Sequence, residues 1–191
     1  MARRGLGALL VVLGAITVCL ANPDLDRVVE LAREHYGIHA AQTVDTWRDL
    51  VETNRDLPEL EKLELVNTFF NHNVDFEPDA LVWGRTDYWA TPLETLGRGQ
   101  GDCEDYSIGK YVTLGLLGVP IERLRITYVR AETGLPGSGV VQAHMVLAYY
   151  PEPGAEPLIL DNLVGQLRRA SHRPDLVILD WMLPGQSGLQ L

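Results

Sequence analysis

Cysteine is nearly absent. The 191 residues hold two, Cys19 and Cys103. Cys19 lies in an N-terminal apolar segment that reads as removable, and bulky Val18 before it argues against lipid attachment. Cys103 is then a lone thiol, which excludes an intrachain disulfide and leaves packing to stabilise the fold. Basic residues are the second shortage, 16 against 26 acidic ones, for a net charge of −10. Nucleic-acid binding needs a basic footprint, and this chain lacks one. The balance permits cation binding without requiring it. The chain also lacks an apolar run long enough to span a bilayer. Leu6 to Leu20 is 15 residues, short of the ~20 a membrane helix needs. Internal repeats and low-complexity tracts are absent too.

The first residues have the pattern of an export signal. Arg3 and Arg4 precede the apolar run, and Cys19-Leu20-Ala21 offers a small-residue cleavage site. We therefore assign 1–21 as a signal peptide and expect an exported, periplasmic protein. Retention of the segment as an anchor and a buried N-terminal helix are the alternatives. Roughly 170 residues remain, enough for one domain with a real core.

Helical periodicity comes first along the chain. Leu25, Val28, Val29, Leu31, Ala32 and Tyr36 form one stripe, and Val44, Trp47, Leu50 and Val51 a second, shorter one. A third opens at Leu57-Pro58, with Leu60, Leu63, Val66, Phe69 and Phe70 on its buried side. Residues 71–91 read as a long loop, a type of segment often tied to function. Ile108 to Leu117 is an apolar helix ended by Gly118 and Pro120. Strand-like runs follow at Leu124–Val129, Val140–Tyr150 and Pro157–Leu163, with turns at 134–139 and 151–156. Helices followed by strands predict an α+β domain with an antiparallel sheet.

Chemistry concentrates in three places. Gly101-Asp102-Cys103-Glu104-Asp105-Tyr106 puts the thiol at the start of a helix, where free backbone N–H groups favour a thiolate. Asp102 can cap that helix. The same acids raise the thiol pKa unless something neutralises them, and a hard cation such as calcium prefers carboxylate oxygen. His144 lies mid-strand, sharing a face with Val146 and Ala148, and Asp161 shares the face of Ile159. If the two strands pair, the carboxylate can orient the imidazole toward the thiolate. Taken singly, the cysteine could be an inert core residue, the histidine structural, and Asp161-Asn162 the start of a turn. Trp83, Tyr88 and Trp89 could be core packing, a peptide-binding wall or an indole donor to an oxyanion.

These blocks resemble the bacterial transglutaminase-like cysteine peptidases, and within them the periplasmic LapG-type adhesin proteases. The resemblance runs from about Asn22 to about Arg173. Its motifs are Asn67-Thr68-Phe69-Phe70-Asn71, the run from Trp83 to Pro92, Gly101 to Tyr106, Ala143 to Leu147 and Leu160 to Leu163. It implies a papain-like, transglutaminase-like core with Cys103 as nucleophile, His144 as general base and acid, and Asp161 as the orienting residue. It also implies calcium dependence through Asp102 and Glu104. The implied substrate is a large surface adhesin, cut near its N-terminus to release it and disperse a biofilm. The implied inhibitor is an inner-membrane receptor for cyclic di-GMP. A transglutaminase or amidase could use the same triad, and an inactive adhesin- or receptor-binding module is the reading from another class.

We take 22–173 as the peptidase domain and 174–191 as a foreign or truncated tail. From Arg173 to Gly185 the chain resembles the phosphoacceptor strand and loop of a response-regulator receiver, with Asp180 in the acceptor position. The other acids of such a site are missing, so phosphotransfer is not expected. An ordinary apolar terminal strand is the alternative.

Overall fold

A computed structural model describes residues 24–132 and 140–178. The expected signal peptide, Cys19, Asp180 and the whole 134–139 turn therefore lie outside the described residues. No helix among the described residues is long and apolar enough to cross a membrane.

Three helices open the domain: α1 (Leu25–Tyr36), α2 (Ile38–Thr53) and α3 (Glu59–Asn73). Asp24 starts α1 by accepting the Arg27 N–H at 3.1 Å. Gly37, at φ 91°, turns the chain between α1 and α2 in a conformation that side chains other than hydrogen resist. Helix α2 is longer than the apolar stripe from Val44 to Val51 suggests, because Ala40 and Ala41 also pack inward. Helix α3 begins after Pro58 as expected, but Leu60 is 55% exposed. Its stripe is set by Leu63, Val66, Phe69 and Phe70, with Lys62 also buried.

The segment expected as one loop is partly ordered. Helix α3 continues through Asn73, strand β1 (Asp75–Phe76) pairs in parallel with β2 (Gln100–Gly101), and a single turn forms α4 (Asp79–Val82). Helix α5 (Pro92–Arg98) follows, opened by a capping box in which Thr91 and Glu94 bond each other's backbone. The Thr91-Pro92-x-Glu94 pattern carries the physical signal for that helix start.

Helix α6 (Cys103–Leu116) is the central element. Trp47 Nε1 donates to Thr113 Oγ1 at 2.9 Å, fixing α2 to it, and Lys62 Nζ donates to the Leu117 carbonyl at 2.9 Å, closing its C-terminus from α3. After a short 3-10 turn come β3 (Leu124–Glu132), β4 (Val141–Tyr149), β5 (Leu158–Leu160), β6 (Arg168–Arg169) and β7 (Leu176–Ile178). The sheet order is β6-β5-β4-β3-β7, antiparallel throughout. This is the expected α+β architecture.

Strand β4 is buried on both faces along most of its length. Leu147 and Tyr149 join Leu124, Leu160 and the helices in the main core. Val146 and Ala148 join Val129 and Ile159 in a smaller cluster on the other face. The edge strand β7 pairs with β3 through Val129, Arg130 and Ala131, so residues 176–178 are seated in the sheet although the sequence groups them with the tail.

Helix α6 lies so close to α3 that a Cβ at Gly109 would stand 2.3 Å from Cε1 of the fully buried Phe70. Overpacking of that kind costs about 1–3 kcal/mol. Gly109→Ala is therefore expected to lower the unfolding free energy by that amount, seen as a lower urea midpoint. An unchanged midpoint would show that the two helices can separate freely.

Candidate active site and cation pocket

The N-terminus of α6 places Cys103 on its first turn, directly after β2. Gly101 is needed at that junction, because a Cβ there would meet Asp105 Cβ and Oδ2 at 2.8 Å. The fully buried Asp105 holds the junction together. Its Oδ1 accepts the Ala90 N–H at 2.8 Å and its Oδ2 faces the Asp102 N–H at 3.4 Å. One carboxylate thus ties the 83–91 segment to the start of the helix.

The backbone N–H of Met145, the residue after His144 on β4, lies near enough to Cys103 Sγ to favour its thiolate. The thiol also lies 3.1 Å from Glu104 Oε2, as donor. Burial raises its pKa well above the ordinary thiol value, and the Glu104 bond and charge add to the rise, with the Met145 N–H opposing. The helix N-terminus alone favours the thiolate, but burial and the neighbouring acids win.

The acids are themselves crowded. Ligand oxygens of Asp79, Asp102 and Asp105, and those of Asp79, Asp87 and Glu104, lie within 4.8 Å of one another. Burial, followed by the hydrogen bond and charge of Glu104, pushes Asp102 up to about 8. Burial likewise raises Asp105 to about 6 against the N–H groups of Ala90 and Asp102. Asp79 is raised too, chiefly by burial. Its Oδ2 accepts the Tyr88 N–H, whereas its Oδ1, like Oδ1 of Asp102, is buried without a partner. Orphaned carboxylate oxygens converging from a loop and a helix start fit a hard divalent cation. Asp102 and Glu104 were expected from sequence. Asp79 and Asp87 were not, because nothing in a presumed loop shows that the one-turn α4 and the segment after it will bring them to α6.

His144 and Asp161 meet as anticipated, with His144 Nε2 at 2.7 Å from Asp161 Oδ1. Asp161 follows β5 rather than lying in it, so a turn and not strand alternation aims its side chain. The Leu163 N–H donates to Oδ1 at 3.0 Å, and Asn71 of α3 donates to the Asp161 carbonyl at 2.8 Å. The sequence reading missed Arg173. The residue is 2% exposed, and its Nη2 donates to Asp161 Oδ2 at 2.8 Å. Burial pulls the Asp161 pKa up, but the bonds from His144, Leu163 and Arg173 outweigh it and hold the group down to about 2. Lys110, seven residues along α6 from Cys103, is buried with its Nζ 5.5 Å from the Tyr106 ring centre. Burial lowers it to about 7, opposed by attraction to Asp161.

Of the three aromatic residues singled out in the sequence, Trp83 and Tyr88 stack with ring centres 4.6 Å apart, and Arg98 and Arg85 lie over the two rings. Trp83 Nε1 is buried without a partner. Trp89 is 51% exposed and sits apart from that stack in character.

Comparison with known proteins places this geometry in context. The family of bacterial transglutaminase-like cysteine proteinases (BTLCP) matches residues 37–174. LapG from Legionella pneumophila is similar in structure at a TM-score of 0.70 and 39% identity, over 81% of each chain. Its calcium-bound form gives the same values, and its EGTA-treated form the same score and identity over 81% of this chain and 79% of that one. No curated protein matches in sequence.

The raised acids set a pH dependence for the protein in chelator. Asp102 and Asp105 have folded values above the unfolded value of about 4, so the folded state holds extra protons between about pH 4 and 8. Stability is then expected to fall as pH rises through that window. Asp161 acts the other way, its contribution being lost as pH falls from about 4 toward 2. Chemical denaturation in EDTA at pH 5 and pH 8 checks the first effect, and Asp102→Asn should flatten it. Equal stability at the two pH values would count against the crowding.

Proposed function

The chain belongs to the bacterial transglutaminase-like cysteine proteinases, and we propose that it is a calcium-dependent periplasmic endopeptidase acting on a large cell-surface adhesin. The observation that carries the catalytic reading is the junction of α6 with β4. There the Cys103 thiol meets the backbone beside His144, and His144 is bonded to Asp161.

In this reading Cys103 Sγ attacks the carbonyl carbon of the scissile peptide bond. His144 takes the thiol proton and delivers it to the departing amine, so that the leaving group departs neutral. With Nε2 committed to Asp161, Nδ1 is the nitrogen that exchanges protons with the thiol and then with the hydrolytic water. Asp161 orients the ring and stabilises the imidazolium that forms. Water then breaks the thioester, which releases the acid product and restores the thiol.

Asp79, Asp87, Asp102, Glu104 and Asp105 are the residues that would hold calcium. When bound, the ion supplies positive charge that lets these carboxylates and the neighbouring thiolate be ionised together. Support comes from the orphaned Oδ1 atoms of Asp79 and Asp102 and from the calcium-bound form of the Legionella pneumophila protein. The substrate would be cut near the adhesin's N-terminus, releasing it from the cell and dispersing a biofilm. An inner-membrane receptor for cyclic di-GMP would restrain the enzyme. These points rest on likeness to the LapG-type proteins, together with the charge pattern at the N-terminus for export.

The deciding experiment is digestion of a recombinant N-terminal adhesin fragment from the same bacterium, with and without calcium. Cys103→Ala should abolish cleavage and His144→Ala should nearly do so, because members of such a unit fail together. Asp161→Ala should lose less. Incorporation of an added amine without cleavage would instead indicate a transglutaminase, and an unreactive Cys103 a binding module.

Chelation should reduce the cleavage rate, and calcium should restore it better than magnesium, whose octahedral demand suits these carboxylates less well. Asp102→Ala should remove that response. Full activity in EGTA, with no calcium binding by calorimetry, would refute the calcium role.

A further inference from the structure

Arg173 lies between the 3-10 turn Ala170–His172 and β7. Its surroundings are unusual for a cation. The side chain is 1% exposed and faces a carboxylate that is fully buried. Burying such a pair is costly, and the attraction repays it only when the geometry satisfies both groups. Here the geometry is specific. Nη2 bonds Asp161 Oδ2 at 2.8 Å and Asp175 Oδ2 at 2.6 Å, while Nε bonds Asp175 Oδ1 at 3.0 Å. The guanidinium is thus gripped from outside by Asp175 and presents one edge to Asp161.

The two oxygens of Asp161 are consequently divided. Oδ1 receives His144 and the Leu163 N–H, and Oδ2 receives Arg173. A carboxylate with both oxygens engaged from different elements has little freedom to rotate. Without Arg173, Oδ2 would have no hydrogen bond among the described residues. The segment carrying Arg173 is itself anchored. Its N–H bonds the Ala170 carbonyl at 3.0 Å, its carbonyl receives Leu176 N–H at 3.0 Å, and Asp175 carbonyl receives the Glu132 N–H at 2.8 Å at the end of β3.

We propose that Arg173 is a positioning residue for the reaction: it fixes Asp161 so that Oδ1 stays aligned on His144 Nε2, and through Asp175 it links the edge of the sheet to that alignment. The proposal rests on the peptidase reading for its catalytic meaning, but its geometry can be tested without substrate. A clamp that only closed the sheet edge would affect stability and leave the imidazole alone.

The test is nitrogen-15 NMR of histidine-labelled protein, with the His144 signals assigned from a His144→Gln sample. In the parent protein His144 should show a slowly exchanging Nε2–H, as its bond to Asp161 Oδ1 requires. Arg173→Met should lose that slow proton, and Arg173→Lys, which keeps the buried charge but not the fork, should be intermediate. With the adhesin fragment as substrate, Arg173→Met should lower kcat by about ten- to a hundredfold, as small misplacements of catalytic groups do, with KM little changed. A folded Arg173→Met protein with the parent's Nε2–H exchange and kcat would overturn the proposal. If that variant does not fold, Arg173→Lys is decisive, and an unchanged Nε2–H and kcat there would overturn it equally. Altered histidine signals in Arg173→Met, beside a parent that cuts no adhesin fragment, would support the positioning role and sink the proposed substrate instead.

Discussion

Like charges gathered at the start of one helix constrain everything around them. Two carboxylates with oxygens within 4.8 Å repel by roughly 3 kcal/mol at the effective dielectric of a protein surface. A typical hydrogen bond returns only about 1 kcal/mol. Backbone N–H groups from Ala90 and Tyr88 therefore ease the crowding at α6 without removing it. The fold commits several elements to holding those acids in place. Strand β2 delivers Asp102, the first turn of α6 delivers Glu104 and Asp105, and the turn of α4 delivers Asp79. Protonation or a cation must relieve what remains, and the thiol feels whichever it is.

The two sides of the site have opposite electrostatic character. On the helix side Asp79, Asp102 and Asp105 are shifted upward, chiefly by burial, and Asp79 and Asp102 each keep one oxygen unpartnered. Beside the sheet, Asp161 is fully bonded and shifted downward by the His144 ring, the Leu163 N–H and Arg173. One carboxylate is thus kept ionised by the protein itself, while the others depend on what they bind. The state of the thiol can therefore respond to a cation while the imidazole's partner stays fixed.

Much of this was legible in the sequence. Gly101 to Tyr106 announces a thiol at a helix start, and the order cysteine, histidine, aspartate on a helix and then strands gives the α+β class. Hidden features share one cause, which is contact between distant segments. Leu60 has the right spacing for the α3 stripe but faces solvent, because the stripe is narrower than apolar content implies. The one-turn α4 is too short for periodicity to mark it, so the role of Asp79 appears only when the turn meets α6. Helix α5 had a readable signal in Thr91, Pro92 and Glu94 that the surrounding polar residues masked. Arg173 is the clearest case. A basic residue before a proline looks like a surface turn, and only the fold reveals a buried carboxylate waiting 12 positions upstream.

The spacing of these partners along the chain has a consequence for biogenesis. Asn71 reaches Asp161 across 90 positions, His144 reaches it across 17, and Arg173 arrives last. Contacts between such remote segments form late, since loop closure must precede any gain from them. A growing or unfolding polypeptide accordingly carries a thiol with no organised base beside it. On the peptidase reading, the thiol stays without its aligned base until residues as far along as Arg173 have been made.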